Sequence, residues 1–304
     1  MSGKLRPLVL SFVLLAGWNE AGHSTIARIA YDRLPARTRE RVDALLAKHP
    51  AFESWPAGDP RAAFARAASW PDEIRKDDHP FHADHRGEDH FINLPHAVPE
   101  SHLLTEEQSL AAVIARPNIV RRLQEGVATL KNRTVEESVR ARELSWLIHL
   151  VGDIHQPLHC AALISSRFPQ GDRGGNWALA APSAVEIRPS RSDEPPRLPN
   201  LHALWDDLLT GASDIPAVEP GADPTFVPER WAWESFRLAV RAAYPEGLQI
   251  LPAPEAAAAL RDGRTVTIPA LPAGYVEKAR EVARRRAALA GARLAAVLVD
   301  VFGS

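Results

Sequence analysis

The chain contains a single cysteine, Cys160, among its 304 residues. An intrachain disulfide therefore cannot form, and metal sites built from pairs of cysteines are excluded. Beyond the N-terminal segment, no apolar run reaches the roughly 20 residues that a membrane-spanning helix needs. The formal net charge is only −2, so the sequence carries neither a strong basic excess nor a long acidic tail. Any metal bound by this chain must be held by histidine and carboxylate.

The N-terminal segment, residues 1–17, has the pattern of a secretory signal peptide. Lys4 and Arg6 precede an apolar run at 8–15, and two small residues end the segment. It is too short to anchor the protein stably in a bilayer. We expect cleavage at its end, a mature domain over 18–304, and a secreted or periplasmic protein. The alternative for this segment is a buried N-terminal helix.

The 12 histidines are distributed unevenly. Six lie within residues 79–102 and three lie between His149 and His159, whereas none follows His202. Solvated histidines scattered by chance would not leave the C-terminal third empty.

Apolar residues recur at three- and four-residue spacing through most of the chain, which predicts helices. The predicted helices are 23–34, 37–48, 105–131, 134–155, 200–210, 228–244 and 273–302. A segment rich in proline, glycine, serine and arginine, 165–199, is predicted to be a loop. Because there is no internal repeat and no long linker, the favoured interpretation is a single all-α domain with long irregular loops.

Two pairs of residues with the same spacing point to metal chemistry. His149 and Asp153 are four residues apart on a predicted helix, so their side chains share one face and can chelate a metal. His159 lies beyond the turn that follows. His202 and Asp206 repeat the spacing. One such pair is more often a surface or capping feature, but two copies in apolar helical contexts indicate metal binding.

Further motifs accompany these pairs in a fixed order along the chain. They are Trp18-x4-His23, Ser-Trp-Pro-Asp72, His90-Phe91-Ile and Gly174-Gly-Asn176. Together the motifs resemble those of the S1/P1-type zinc nucleases, the single-strand nuclease and 3′-nucleotidase family. The resemblance covers nearly the whole mature chain.

The resemblance implies the helical fold that this family shares with the zinc phospholipases C, and three zinc ions. The implied ligands are Asp72, His90, His149 and Asp153 for the first ion, His159, His202 and Asp206 for the second, and His23, Asp153 and the amine and carbonyl of Trp18 for the third. Asp153 would bridge two ions. The amine of Trp18 becomes available only when residues 1–17 are removed.

The implied reaction is hydrolysis of single-stranded RNA and DNA to 5′-phosphate products, together with removal of the 3′-phosphate from nucleotides. A zinc-activated water would attack phosphorus, and Arg75 would stabilise the transition state. Asp72 and Asp153 complete the expected catalytic set. We expect the protein to be a monomer.

The expected substrate contacts come from three residues. Phe91 would stack on an unpaired base, and Asn176 would contact the base edge. Asn93 stands where the family often has aspartate, which leaves the base preference open. The loop before Asn176 is long and basic, with Arg167 and Arg173, so the rim of the pocket is expected to differ. We expect His155 either to be structural or to support the metal ligands. The histidines of 79–102 other than His90 are expected to be solvated.

Two alternatives remain open. A zinc phospholipase C shares the three-zinc architecture, but the short gap between Trp18 and His23 and the final ligand Asp206, where those enzymes use glutamate, favour the nuclease. A non-catalytic, zinc-stabilised helical module would have closed metal sites with no open position. Activity distinguishes it from both enzymes.

Overall fold

The computed structural model describes residues 18–97, 116–190 and 196–303. The predicted signal peptide and His102 lie outside the described residues. Helices predominate, which confirms the all-α class. Within the described ranges none of the helices has the length and apolar character needed to cross a bilayer. The helices are α1 (Glu20–Asp32), α2 (Ala36–Leu46), α3 (Pro60–Ala67), α4 (Trp70–Glu73), α5 (Ile119–Lys131), α6 (Glu137–Asp153), α7 (Leu201–Asp206), α8 (Pro228–Leu238), α9 (Ala253–Arg261) and α10 (Tyr275–Phe302).

Most of the long helices lie where the periodicity predicts them, although their ends differ by a few residues. Of the helix predicted at 105–131, the part at 105–115 lies outside the described residues, and α5 begins at Ile119. The helix predicted at 134–155 begins only at Glu137. The side chain of Asn132 accepts hydrogen bonds from the backbone N and the Oγ1 of Thr134, so these residues form a turn before the helix. After Asp153 the chain passes into a 3-10 turn at Pro157–Cys160.

Six short strands form three two-stranded ladders in the described residues. They are β1 (Leu94–Ala97), β2 (Ala161–Ile164), β3 (Ala178–Leu179), β4 (Val185–Ile187), β5 (Leu251–Pro252) and β6 (Val266–Ile268). β1 pairs in parallel with β2, whereas β3–β5 and β4–β6 are antiparallel. Segments of two to four residues are too short to show a period of two, so the pattern did not predict them. The β1–β2 ladder joins the histidine-rich segment to the chain that follows α6.

Helix α6 is the centre of the molecule. Every residue from Leu144 to Asp153 is buried, so its C-terminal half has no solvent-facing side. A helix that is enclosed all round lies inside the core, and its polar residues must then find partners there. His149 and Asp153 lie in this enclosed half, which means that their side chains face other residues of the interior.

The last helix supports the end of α6 from behind. α10 packs against α1 and α6. Arg286 donates through Nε to the carbonyl of His155, and Arg293 donates through a guanidinium N–H to the Nε2 of His155. Both arginines also bind the carboxylate of Glu234. His155 is buried and donates its Nδ1–H to the carbonyl of Val151, a position that suits a structural role.

Candidate metal centre

The site is built first from α6. The Nδ1 of His149 donates to the carbonyl of Ala68 at 2.7 Å. This hydrogen bond fixes the ring and turns its Nε2 toward Asp153, whose Oδ2 lies 3.0 Å away. A histidine whose far nitrogen is held by a carbonyl oxygen is oriented as metal-ligating histidines commonly are.

The first helix brings His23 to the opposite oxygen of Asp153. The Nε2 of His23 lies 3.2 Å from Oδ1 of Asp153, and its ring stacks on His149 with 3.9 Å between centroids. Gly152 makes this approach possible, because a Cβ there would lie 2.9 Å from the Nδ1 of His23. Asn19 caps α1, and the buried Trp18 before it donates its indole N–H to the carbonyl of Gly152 at 3.1 Å.

Asp72 and His90 complete this group from two other segments. The Nδ1 of His90 lies 2.9 Å from Oδ2 of Asp153 and 3.0 Å from Nε2 of His149. Oδ1 of Asp72, on α4, lies 3.7 Å from Nε2 of His149 and 4.0 Å from Nδ1 of His90. We call these five residues, His23, Asp72, His90, His149 and Asp153, the first cluster.

A second cluster consists of His159, His202 and Asp206. His159 donates its Nδ1–H to the carbonyl of His90, and His202 donates its own to the carbonyl of Gly174, both at 2.7 Å. The two rings stack with 5.0 Å between centroids. The Nε2 of His202 lies 3.5 Å from Oδ2 of Asp206.

Gln156 holds the carboxylate of the second cluster. Its side-chain amide donates to Oδ1 of Asp206 at 2.9 Å, and its own oxygen accepts from the backbone N–H of Leu158. Gln156 is fully buried. Its role is not visible in the sequence, because a glutamine inside the His149–His159 segment has no spacing that marks it as a partner of a residue fifty positions away.

The residues present fit a metal. Within the described chain, three groups have ligand atoms within 4.8 Å of one another: His23–Asp72–His149, His90–His149–Asp153 and His159–His202–Asp206. Oδ2 of Asp206 and Nε2 of His90 are buried with no hydrogen-bond partner among the described residues. Neutral imidazoles and carboxylates are ligands that zinc accepts. The grouping differs in part from the expected one, since His23 lies beside Asp72 and His149 as well as Asp153.

Burial keeps most of these histidines neutral. It lowers the pKa of three of them: His23 and His90 to about 4, and His159 to about 3. His149 differs. Burial lowers its pKa too, but Asp153 and Asp72 outweigh that effect and raise it to about 9. A metal bound there would have to displace a proton, because a metal-bound imidazole must be neutral.

The pKa values of the three carboxyl groups shift in different directions. Burial raises the pKa of Asp72 to about 7, and Asp153 adds to the effect. Burial acts on Asp153 in the same direction, but His149 and His159 hold its pKa well below the usual range. Burial raises the pKa of Asp206 well above the usual range, with only the Gln156 amide opposing it.

A cleft of ≈ 1570 Å³ opens above both clusters. Its lining includes Asp72, His90, His159, His202 and Asp206, whereas the remaining members of the first cluster are buried and do not line it. The three residues expected to contact substrate, Phe91, Asn93 and Asn176, line it, and so does the expected catalytic residue Arg75. A guanidinium nitrogen of Arg75 lies 3.3 Å from Oδ1 of Asp72.

Three expectations about the surroundings of the site need correction. His85, expected to be solvated, lines the cleft, and His96 is half-buried with its ring 5.8 Å from that of Tyr244. Arg167, expected at the rim, instead pairs with Glu255 at 2.7 Å and does not line the cleft. Both histidines lie in a segment wrapped around the site, and that wrapping depends on tertiary contacts rather than on local pattern.

Comparison with known proteins yields one family and one curated relative. A sequence model of the family described as S1/P1 Nuclease matches residues 18–216. The chain is 28% identical over 198 residues to Endonuclease 4 of Arabidopsis thaliana. That alignment covers 63% of this chain and 55% of the plant protein, so the chain spans little more than half the length of that relative.

Proposed function

Because the chain belongs to the S1/P1 nuclease family, we propose that it is a zinc-dependent nuclease. It hydrolyses single-stranded RNA and DNA to 5′-phosphate products and also removes the 3′-phosphate from nucleotides. The observation that carries the proposal is the convergence of eight buried or half-buried histidine and aspartate side chains, five of them lining the cleft, in groups that could hold metal. The relative's printed name, an endonuclease, supports the same activity.

The proposed cofactor is three zinc ions, with the ligand sets that the family resemblance implies. The two carboxylate oxygens of Asp153 support a bridging role, since Oδ1 faces His23 and Oδ2 faces His90 and His149. Bound zinc would supply Lewis-acid chemistry, lowering the pKa of water to about 7 and neutralising charge on the leaving oxygen. The amine and carbonyl of Trp18 remain proposed ligands, and with them a mature domain over 18–304, export to the periplasm or the medium, and a monomer.

The side chains of the cleft divide the remaining work. Arg75 donates to the phosphoryl oxygens, on which negative charge grows in the transition state. Its contact with Asp72, a member of the first cluster, holds the guanidinium within the lining of the cleft. Asp72 and Asp153 bind the metal and orient the reacting groups.

The proposed preference for single strands rests on contacts to unpaired bases. Phe91 lines the cleft and offers a ring on which any unpaired base can stack. Asn93 and Asn176 line it as well and present amide groups to the base edge. These contacts line the same cleft as five of the candidate metal ligands, and we expect that arrangement to suit an unpaired strand better than a duplex.

A substrate panel on the zinc-loaded protein tests the proposal. The panel contains single-stranded DNA, single-stranded RNA, duplex DNA, a 3′-nucleotide and phosphatidylcholine. We expect hydrolysis of both single strands and of the 3′-nucleotide, and little of the duplex. Hydrolysis of the lipid alone would make the protein a phospholipase C. A zinc-replete protein that hydrolyses none of them would be a metal-stabilised module.

A further inference from the structure

One wall of the cleft is a tight loop, Asp172–Trp177, with an unusual backbone. Arg173 adopts φ 56°, and it is the non-glycine residue with positive φ in the described ranges. Gly174 and Gly175 follow at φ 61° and 83°. At Gly174 no other residue fits, because a Cβ would lie 2.5 Å from the carbonyl oxygen of Leu158. The chain therefore places three successive residues in the left-handed region, and only one of them has a side chain.

The loop is held rigidly against the second cluster. The fully buried Asp172 accepts from the backbone N–H of Leu163 at 2.9 Å and from the hydroxyl of Tyr244 at 2.7 Å. The carbonyl of Gly174 accepts from the ligand His202 at 2.7 Å. The backbone of Arg173 is thus held in place by its neighbours, because the next residue, Gly174, contacts His202 of the second cluster.

The side chain of Arg173 is exposed and lines the cleft. Its Cζ lies 4.1 Å from the ring centroid of Trp177, which also lines the cleft. No carboxylate in the described part of the chain forms an ion pair with it, in contrast to Arg75 with Asp72 and Arg167 with Glu255. The indole orients the guanidinium without neutralising its charge.

The conformation adds a second argument. A side chain at positive φ costs conformational free energy that glycine would avoid, and such strain concentrates at ligand sites. The next two positions with positive φ, Gly174 and Gly175, are glycines, whereas position 173 keeps an arginine. The strain at Arg173 is therefore explained if the side chain itself has a ligand, and an oriented, unpaired guanidinium in a cleft suits the two oxygens of a phosphate.

We propose that Arg173 binds a non-scissile phosphodiester of the bound strand, so that the enzyme prefers strands of several nucleotides to substrates that carry only the scissile phosphate. This inference rests on the proposed nuclease function. Arg75, which pairs with Asp72, and the metal clusters serve the scissile phosphate, which leaves Arg173 for a neighbouring phosphate.

The test compares two substrates on the zinc-loaded full chain: a dinucleoside monophosphate, which has only the scissile phosphate, and a single-stranded oligonucleotide. Arg173→Asn is the main variant, because asparagine tolerates positive φ while the charge is lost. Arg173→Lys keeps the charge but loses the planar stack on Trp177. Arg167→Asn is the matched control, an arginine of the same segment that lies outside the cleft.

For Arg173→Asn we expect kcat/KM on the oligonucleotide to fall roughly tenfold, mainly through KM, with little change on the dinucleotide. The slope of log kcat/KM against log salt should decrease by about 0.7, the value for one phosphate contact on a single strand. Arg173→Lys should lose less, and Arg167→Asn should match the parent protein. Circular dichroism and Tm confirm that each variant is folded.

Three outcomes would overturn the inference. Equal losses on the two substrates would show that the loop merely supports the site, and an unchanged oligonucleotide reaction would show that Arg173 contacts no phosphate; in both cases the proposed function stands. A parent protein that hydrolyses neither substrate would overturn the proposed function and the inference with it.

Discussion

The two His-x3-Asp pairs have the same spacing and opposite surroundings. His149 and Asp153 lie near the end of a 17-residue helix in the middle of the core. His202 and Asp206 lie on a helix of six residues that begins at an Asn200 cap. Asp153 faces His23, His90 and His149 with both oxygens. Asp206 has one histidine near its Oδ2, and its Oδ1 accepts from Gln156.

This difference sets the charge of each carboxylate before any metal binds. The histidines around Asp153 favour its ionised form, so its pKa lies well below the usual range. Asp206 is equally buried but has little compensation, so its pKa lies well above. Spacing thus identifies a chelating pair but does not determine its electrostatics. We expect the second cluster to depend more strongly on metal for its stability than the first.

The largest effect is expected from Asp153→Asn. The amide would remove the proposed bridge between two ions, so the variant should bind at least two fewer zinc ions per chain and lose activity on the order of 10⁴-fold or more. Metal analysis and initial rates measure both. Asp207→Asn is the control, because Asp207 bonds to Asn19 at the cleft but belongs to neither cluster. Near-normal zinc content in the Asp153 variant would contradict the bridge.

Asp206→Asn should have a smaller effect that is confined to the second cluster. We expect one fewer zinc ion per chain and a loss of activity smaller than that of Asp153→Asn, because the first cluster keeps all its ligands. The comparison fails if the two variants lose the same number of ions. Asp207→Asn is again the control, because it changes the next residue along the chain without removing a member of either cluster.

Gln156→Leu tests whether Asp206 needs its amide partner. The leucine fills similar space but donates no hydrogen bond, so Asp206 would lose its orientation. Loss of a group that orients a ligand typically weakens metal binding about 10–100-fold. Competition with a graded chelator measures the affinity of the weakest site. Gln124→Leu, at an exposed position, is the control, and equal affinities in the two variants would exclude an orienting role.

The smallest effect is expected in metal-free protein, where Asp206→Asn and Asp153→Asn should change Tm in opposite directions. The pKa of Asp206 is higher in the folded protein than its unfolded value of 3.8, so the unfolded chain ionises first as pH rises. The free energy of unfolding therefore falls from pH 3.8 up to the raised pKa. Asp206→Asn should therefore raise Tm near neutral pH, by about 2–4 °C for each 1 kcal/mol. Asp153→Asn should lower it, because the low pKa of Asp153 contributes stability that is lost only in acid. Calorimetry in chelator across mildly acidic to neutral pH checks both signs.

The sequence predicts the part of the site that is local. Pairs four residues apart and long amphipathic helices are encoded by periodicity, and both lie where expected. Asp72 and His90 required the family resemblance, because nothing in their neighbourhood marks them as partners of α6. Gln156, His85 and the strain at Arg173 required the fold, since each depends on a contact with a distant segment. The short strands could not be predicted for a related reason, because each pairs with a segment that is distant in sequence.

The packing of α1 on α10 has a consequence for the time at which the site is assembled. His23 lies on the first described helix, and the arginines that support His155 lie on the last. The second cluster is drawn from residues up to Asp206, whereas α1, which also packs against α3 and α6, completes its packing only when α10 is in place. We therefore expect the first cluster to be completed late in folding, after α10 has packed onto α1.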